Sequence, residues 1–355
     1  MKAYFNAWNY VFEGLPKPFW KLFKYFPDLD YAWEKAPIND MEKIGLNYEY
    51  IERYKYLRSK IDPFQELNKT EKSGIKIITI RDDEYPSQLR SLNTHLPPVV
   101  LYVKGAIPIN RFEISIVGTR QNTGYGESVT KKIINGLKPY NIVVVSGMAQ
   151  GIDSIAHAIA LENNMPTVAV LGFGLNMVPY HKKQFVEKII KTGAVISEYP
   201  PGMPAEKFHF PLRNRIISGL SKAVIVVEAG EKSGALITAD YALNQSREVF
   251  AVPGSLDNEK SIGTNQLIQN GGAHLLIKPE DILEVFGIEK KENEYEDGLN
   301  EKQKKIVKQI KKSACSKDDL MQLSLFSPQD LNTTLTELEL EGVISKNRNG
   351  IYFIN

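Results

Sequence analysis

The chain has one cysteine, Cys315, so it builds no internal disulfide and no cysteine-rich metal site, and it suits a reducing compartment. Histidine is also scarce: the five present show no His-x-x-x-His or other metal-ligating spacing. No apolar run free of charge reaches membrane-spanning length. The N-terminus MKAYFNAWNYVFEG lacks the apolar core and small-residue cleavage site of a signal peptide. A cytoplasmic chain without a membrane span is therefore expected. Net charge is only +2 over 355 residues, so affinity for a nucleic acid has to come from local clusters of positive charge. Two nucleotide signatures are missing as well. There is no G-x-x-x-x-G-K-[ST], and Gly118, Gly124 and Gly126 in VGTRQNTGYG do not fit G-x-G-x-x-G. No acid stands at the end of the next apolar run to hold a ribose. No cofactor is expected.

What the chain does have is a repeated unit. Six short Val/Ile-rich runs each lead into a glycine-containing turn: ISIVGTR (114–120), VVVSGMAQG (143–151), VAVLGFG (168–174), AVISEYPPG (194–202), AVIVVEAGEKSG (223–234) and VFAVPGS (249–255). Continuous apolar runs of this length suit strands buried on both faces, and helical patterns between them imply a parallel sheet. In such a sheet the strand-to-helix turns emerge at one edge, where open α/β folds bind ligands. Six separate segments thus converge on one rim.

Flanking this block are two smaller ones. Residues 1–70 read as a helical, aromatic-rich domain broken by Pro16, Pro18, Pro27 and Pro37; within it 37–46 predicts a helix capped by Asn39 or Asp40 and ended at Gly45. Residues 71–288 form the α/β domain. A charged stretch at 289–298 reads as a linker, and 299–355 reads as three short helices followed by a hairpin turning at Asn349-Gly350. Ser316 and Ser327 are suitable N-caps, with Pro328 at the favoured first helical position. That order is a winged helix. It carries nine Lys or Arg against seven Asp or Glu, and its third helix holds Asp330, Glu337, Glu339 and Glu341 but no basic residue. A major-groove reader offers Arg, Asn or Gln to base edges, so a protein-interaction or regulatory role is expected for this wing.

Several rim residues carry candidate chemistry. The turn at Gly118, Thr119 and Arg120 opens a helix whose free N–H groups suit an anion, or is a tight turn with a surface arginine. Gly147 begins SGMAQGIDSIAH, where Asp153 and His157 share a helix face; with Ser146 they could be arranged as a triad, or be structural. Lys182 and Lys183 stand at a helix start, which prefers acids, so an external anion would account for them, and so would ordinary solvation. In EYPPGMPAEKFHFPLRNR, four prolines stiffen a loop bearing Tyr199, Phe208, Phe210, Arg213, Asn214 and Arg215. Aromatic platforms interleaved with cations suit single-stranded nucleic acid, whereas core anchoring of the loop would also use aromatics. Glu228 ends the fifth run, placed to act as a base or to hold an arginine or loop amides, the second being the reading preferred here.

Together SGMAQGID, SEYPPG, F..PLRNRIISGLS, VVEA...SGALITA, VPGS and G.N.LI..GGAHL, in this order, resemble the DNA-processing protein A family (DprA, also called Smf). The resemblance covers residues 75–287, with the flanking blocks matching its optional domains. It implies an extended Rossmann-like, doubly wound, mostly parallel sheet with a small helical domain before it and a winged helix after it. It also implies a homodimer that binds single-stranded DNA, protects it during natural transformation and loads the RecA recombinase onto it, without catalysis. The family's DNA-contacting arginine falls on Arg120, its lysine on Lys182, and its RNR motif on Arg213, Asn214 and Arg215. This chain has Tyr180-His181 where the family has Tyr-Pro. The rival reading is a nucleotide-derivative sensor or phosphoribohydrolase-like enzyme using the same rim.

Overall fold

In the computed structural model, described residues are 1–92, 96–108, 111–288, 299–312, 315–323, 326–347 and 350–354. The expected linker and Asn349 lie outside them. The chain forms two compact units, Met1–Ile288 and Glu289–Asn355.

The first unit opens with six helices: α1 (Lys2–Val11), α2 (Pro16–Tyr25), α3 (Leu29–Glu34), α4 (Ile38–Lys43), α5 (Tyr48–Arg58) and α6 (Pro63–Lys72). α4 starts earlier than the side-chain-cap reading expects, with Pro37 as the N-cap, and Gly45 takes a left-handed φ of 73° just beyond it. The expected boundary at residue 70 is not a break in packing. Trp8 stacks on Tyr54, with ring centroids 4.6 Å apart, and meets Trp33 edge-on; that aromatic cluster is continuous with the apolar core of the sheet. Buried Asn6 and Asn9 complete the joint. Asn6 Oδ1 accepts from the Tyr102 hydroxyl at 2.8 Å, and Asn9 Nδ2 donates to the Glu198 carbonyl at 2.9 Å.

After β1 (Lys76–Thr79), α7 (Ser87–Arg90) and β2 (Val100–Gly105), strands and helices alternate. They run β3 (Phe112–Val117), α8 (Gly124–Leu137), β4 (Ile142–Ser146), α9 (Ile152–Glu162), β5 (Thr167–Leu171), α10 (Lys183–Thr192) and β6 (Ala194–Ser197). They continue α11 (His209–Leu220), β7 (Ala223–Val226), α12 (Gly234–Asn244), β8 (Glu248–Ala251), α13 (Ile262–Gln269), β9 (His274–Leu275) and α14 (Glu280–Phe286). The sheet order is β1-β2-β6-β5-β4-β3-β7-β8-β9, parallel from β6 to β9, with β1 and β2 antiparallel at one end. All six runs are strands of this sheet, and the expected mostly parallel, doubly wound fold is the one observed.

Strand periodicity explains the two layers. Along β4, Ile142 and Val144 enter the core beneath α8, α9 and α14, while Val143 and Val145 enter the opposite core beneath α11 and α12. Strand order reverses between β3 and β7, so the turns after these two strands diverge to opposite sides and leave a crevice at the rim.

The second unit has α15 (Glu301–Lys312), β10 (Cys315–Ser316), α16 (Lys317–Leu323), α17 (Pro328–Leu340), β11 (Ile344–Lys346) and β12 (Ile351–Ile354), the winged-helix order. Ser316 Oγ accepts from the Asp319 N–H and Ser327 Oγ from the Asp330 N–H, as expected of N-caps. Its core, including Ile306, Val307, Leu331, Leu335 and Leu338, is its own.

Because the helical block shares the sheet's core, Trp8→Ala is expected to cost about 3–5 kcal/mol. Urea unfolding of a 1–288 fragment is expected to remain one transition at a lower midpoint; loss of helical signal alone, with the sheet unaffected, would contradict the shared core.

Candidate nucleic-acid interface

The rim is organised by a carboxylate. Glu228, just after β7 and 1% exposed, accepts from the Thr123 N–H at 2.9 Å through Oε2 and from the Thr123 hydroxyl at 2.5 Å through Oε1. Thr123 is the N-cap of α8, and its hydroxyl in turn accepts from the Gly126 N–H. A side chain on Gly126 would collide with the Glu228 carboxylate, which is why glycine is needed there. The helix start after β3, where Rossmann-type folds seat a nucleotide phosphate, therefore already holds an internal anion. Both carboxylate oxygens of Glu228 are engaged by Thr123, through its N–H and its hydroxyl. Of the backbone donors at this helix start, the Thr123 and Gly126 N–H groups are engaged from within, which leaves less room for the external anion expected there.

What the clamp leaves free is the Arg120 side chain. Gly118 passes so close to Ile152 and the Glu228 carbonyl that a Cβ would not fit, and the Thr119 carbonyl accepts from the Ile152 N–H at 3.3 Å. The β3 turn is thereby laid against the β4–α9 turn. Thr119 Oγ1 accepts from the Gln121 N–H and shapes the turn locally. Exposed Arg120 places its guanidinium over the Phe210 ring, 5.5 Å from the centroid, a cation–π contact that holds the charge outward.

Lys182 reaches the same place from the other side of the β4–α9 turn. Met148 adopts a left-handed φ of 53°, and its carbonyl accepts from Lys182 Nζ at 2.7 Å. Burial pushes the half-buried Lys182 ammonium below the ordinary lysine pKa, Arg120 and Arg213 push the same way, and Asp153 opposes them. Lys183 lies apart, its ammonium 5.6 Å from the centre of the Tyr180 ring, which is 87% exposed.

Arg213 and Arg215 correct the expectation of a basic DNA-contacting loop. They are only 4% and 3% exposed because α11 turns them into the protein. Arg213 donates to the carbonyls of Gly147 (2.8 Å) and Val170, and burial lowers its pKa to about 10 despite Asp153 beside it. Gly147 itself is buried between Arg213 and Asp153, whose Oδ2 accepts from the Gly147 N–H at 3.1 Å. Gly147 therefore supports the turn and offers no exposed surface to a strand. Arg215 pairs with buried Glu198. Asn214 donates to the Gly234 carbonyl and accepts from Arg213 Nε. The motif thus bolts together the ends of β4, β5 and β6.

The aromatic residues divide similarly. Tyr199 is fully buried, stacked on His209 with centroids 4.0 Å apart, and is a loop anchor. Phe208 is 55% exposed and meets His209 edge-on, with centroids 4.5 Å apart. Phe210 carries Arg120. No local signal in the sequence joins Phe210 to Arg120, which lie in turns from different strands.

No triad forms. The Ser146 hydroxyl donates to the Ile116 carbonyl at 2.6 Å, and fully buried His157 pairs through Nδ1 with Thr167 Oγ1 at 2.6 Å. Burial drives the His157 pKa down to about 3, so it is neutral and structural. Among the described residues no His/Cys/Asp/Glu group could hold a metal, and no helix is long and apolar enough to cross a membrane.

Comparison with known proteins follows the same outline. A family model described as DNA recombination-mediator protein A matches residues 76–287, and one described as the DprA winged helix domain matches residues 290–348. Protein Smf of Synechocystis is 38% identical over 292 residues, covering 81% of this chain and 73% of that protein. The X-ray structure of DNA processing protein A from Streptococcus pneumoniae superposes with a TM-score of 0.68 at 33% identity, covering 80% of this chain and 97% of that one. DNA processing protein A from Helicobacter pylori, whose structure concerns its single-stranded DNA binding mode, gives a TM-score of 0.52 at 27% identity, covering 59% of this chain and 95% of that one.

The buried Glu198–Arg215 pair has a pH consequence. Burial outweighs Arg215 and raises the Glu198 pKa to about 7, above the ordinary glutamate value of 4.5. The folded state therefore holds a proton that the unfolded state releases between those values, so this group's contribution falls as pH rises from about 4.5 to 7, by at most about 1.4 kcal/mol per unit. His157 titrates in the opposite sense over an overlapping range. Comparison of the unfolding free energies of wild type and Glu198→Gln isolates the effect: the stability of wild type relative to the variant is expected to fall as pH rises from about 4.5 to 7. A pH-independent difference would contradict it.

Proposed function

The chain belongs to the DNA recombination-mediator protein A family, and we propose that it binds single-stranded DNA along the rim centred on Arg120 and Lys182, protects that strand and delivers it to the RecA recombinase as a homodimer. The observation that carries this reading is the convergence of two cations on one backbone turn. Arg120 and Lys182 come from the turns after β3 and β5 and flank the β4–α9 turn. Among the described residues neither is paired with a carboxylate: Arg120 rests on an aromatic ring and Lys182 on a neutral carbonyl. Their charge is available to phosphates, and a groove of this kind reads backbone and stacking more than sequence. The Helicobacter pylori neighbour, described by its single-stranded DNA binding mode, supports the same ligand.

The Glu228 clamp weighs against a mononucleotide sensor or a phosphoribohydrolase, because a phosphate at the α8 start would meet a carboxylate already in place. The residues available for hydrolysis are also committed: Ser146 and His157 are buried and engaged elsewhere. Delivery to the recombinase and dimer formation are proposed from the resemblance to this family.

The winged helix fits a protein-facing role. Glu337, Glu339 and Glu341 of α17 and the residue after it are exposed, and Asp330 is bridged to Lys302 at 2.8 Å. An acidic helix opposes the duplex backbone.

Fluorescence anisotropy with labelled oligo-dT across salt concentrations tests the rim. Tight, salt-weakened binding is expected, reduced by about tenfold or more in both Arg120→Glu and Lys182→Glu with circular dichroism unchanged. Unaltered affinity in both variants would move the DNA elsewhere. For the wing, fragment 299–355 is expected not to bind duplex DNA, and tight duplex binding would overturn the protein-facing reading.

A further inference from the structure

Beside the rim, a cleft of about 490 Å³ opens between the helical block and the loop that precedes α11. One wall is Tyr10, Glu13 and Arg53; the other is the proline-bearing loop 200–204 together with Phe208. Its volume is that of a small-ligand site and accommodates a nucleobase with its sugar. Three features of the walls narrow what it takes.

The first is flatness and rigidity. Phe208 is 55% exposed and offers a ring face, while the prolines of the loop fix the backbone around it. The second is the polar edge. Arg53 pairs with Glu13 and donates from Nε to the Tyr10 carbonyl at 3.1 Å, and the two side chains remain 36% and 34% exposed. A carboxylate and a guanidinium side by side present acceptors and donors together, matching the mixed edge of a base. The third is net charge. Glu13 and Glu206 outnumber Arg53, and burial pushes the His209 pKa below the ordinary histidine value. A phosphate is repelled here and a neutral base is not.

The cleft is linked to the cation site through the start of α11. Phe208 and Phe210 lie two residues apart at the start of α11: the first walls the cleft and the second carries Arg120. We propose that this cleft takes one unpaired nucleobase of the strand whose phosphates lie on the Arg120–Lys182 rim, so that the N-terminal helical block is part of the DNA site. The inference rests on the single-strand binding proposed above.

Affinities for labelled oligo-dT and for an abasic strand of the same length separate the two. Wild type is expected to bind oligo-dT about tenfold more tightly, the scale of one stacked base. Phe208→Ala, which truncates an exposed side chain, and Met203→Trp, which fills the cleft, are each expected to lose most of that preference while keeping wild-type affinity for the abasic strand. Arg120→Glu is expected to weaken both strands alike. Retention of the preference in both cleft variants would overturn the inference, as would equal affinity of wild type for the two strands, which leaves the rim reading intact. No binding of either strand by wild type would overturn the DNA reading and this inference with it.

Discussion

The rim of this fold depends on one carboxylate. Glu228 crosses the point where strand order reverses and binds the first turn of α8, so β3 and β7 are joined by a charge-assisted contact as well as by their ladder. The consequences spread outward. With the Thr123 and Gly126 N–H groups held from within, the β3 turn presents the exposed side chain of Arg120. The sheet thus keeps the geometry of a nucleotide-binding fold while two long cationic side chains, Arg120 and Lys182, stand at the rim. Such side chains suit a flexible polyanion better than a single fixed phosphate.

Much of this was legible in the sequence, for physical reasons. Strands buried on both faces must be continuous apolar runs, and parallel strands must be separated by crossovers, so the six runs and their turns announced both the sheet and its rim. Caps such as Ser327 with Pro328 are local and were equally readable. The roles of individual cations were not. Arg213 and Arg215 look like a surface motif because nothing nearby in sequence says that α11 turns them inward, toward Gly147, Val170 and Glu198. Buried arginine is costly unless paired, and its partners come from three other strands. Phe210 beneath Arg120 and the Met148 carbonyl beneath Lys182 are likewise products of topology.

The N-terminal block teaches the same lesson at larger scale. Its composition marked it as a separate helical module, but its aromatic cluster runs on into the sheet, and Asn6 and Asn9 are buried against Tyr102 and the end of β6. A boundary read from composition locates a change in secondary structure, which need not be a change in packing. Here the block supplies the cleft wall opposite the loop before α11.

The two ends of the sheet carry a further meaning. One edge is β1, four residues long and opening with exposed Lys76; the other is β9, only two residues long, with His274 bridged to Glu248 at 2.8 Å. Short, charged margins are poor templates for a neighbouring strand. A nine-stranded sheet that lengthens by pairing would make fibres; this one is blunted at both margins, so crowded copies are kept from fusing through their backbones.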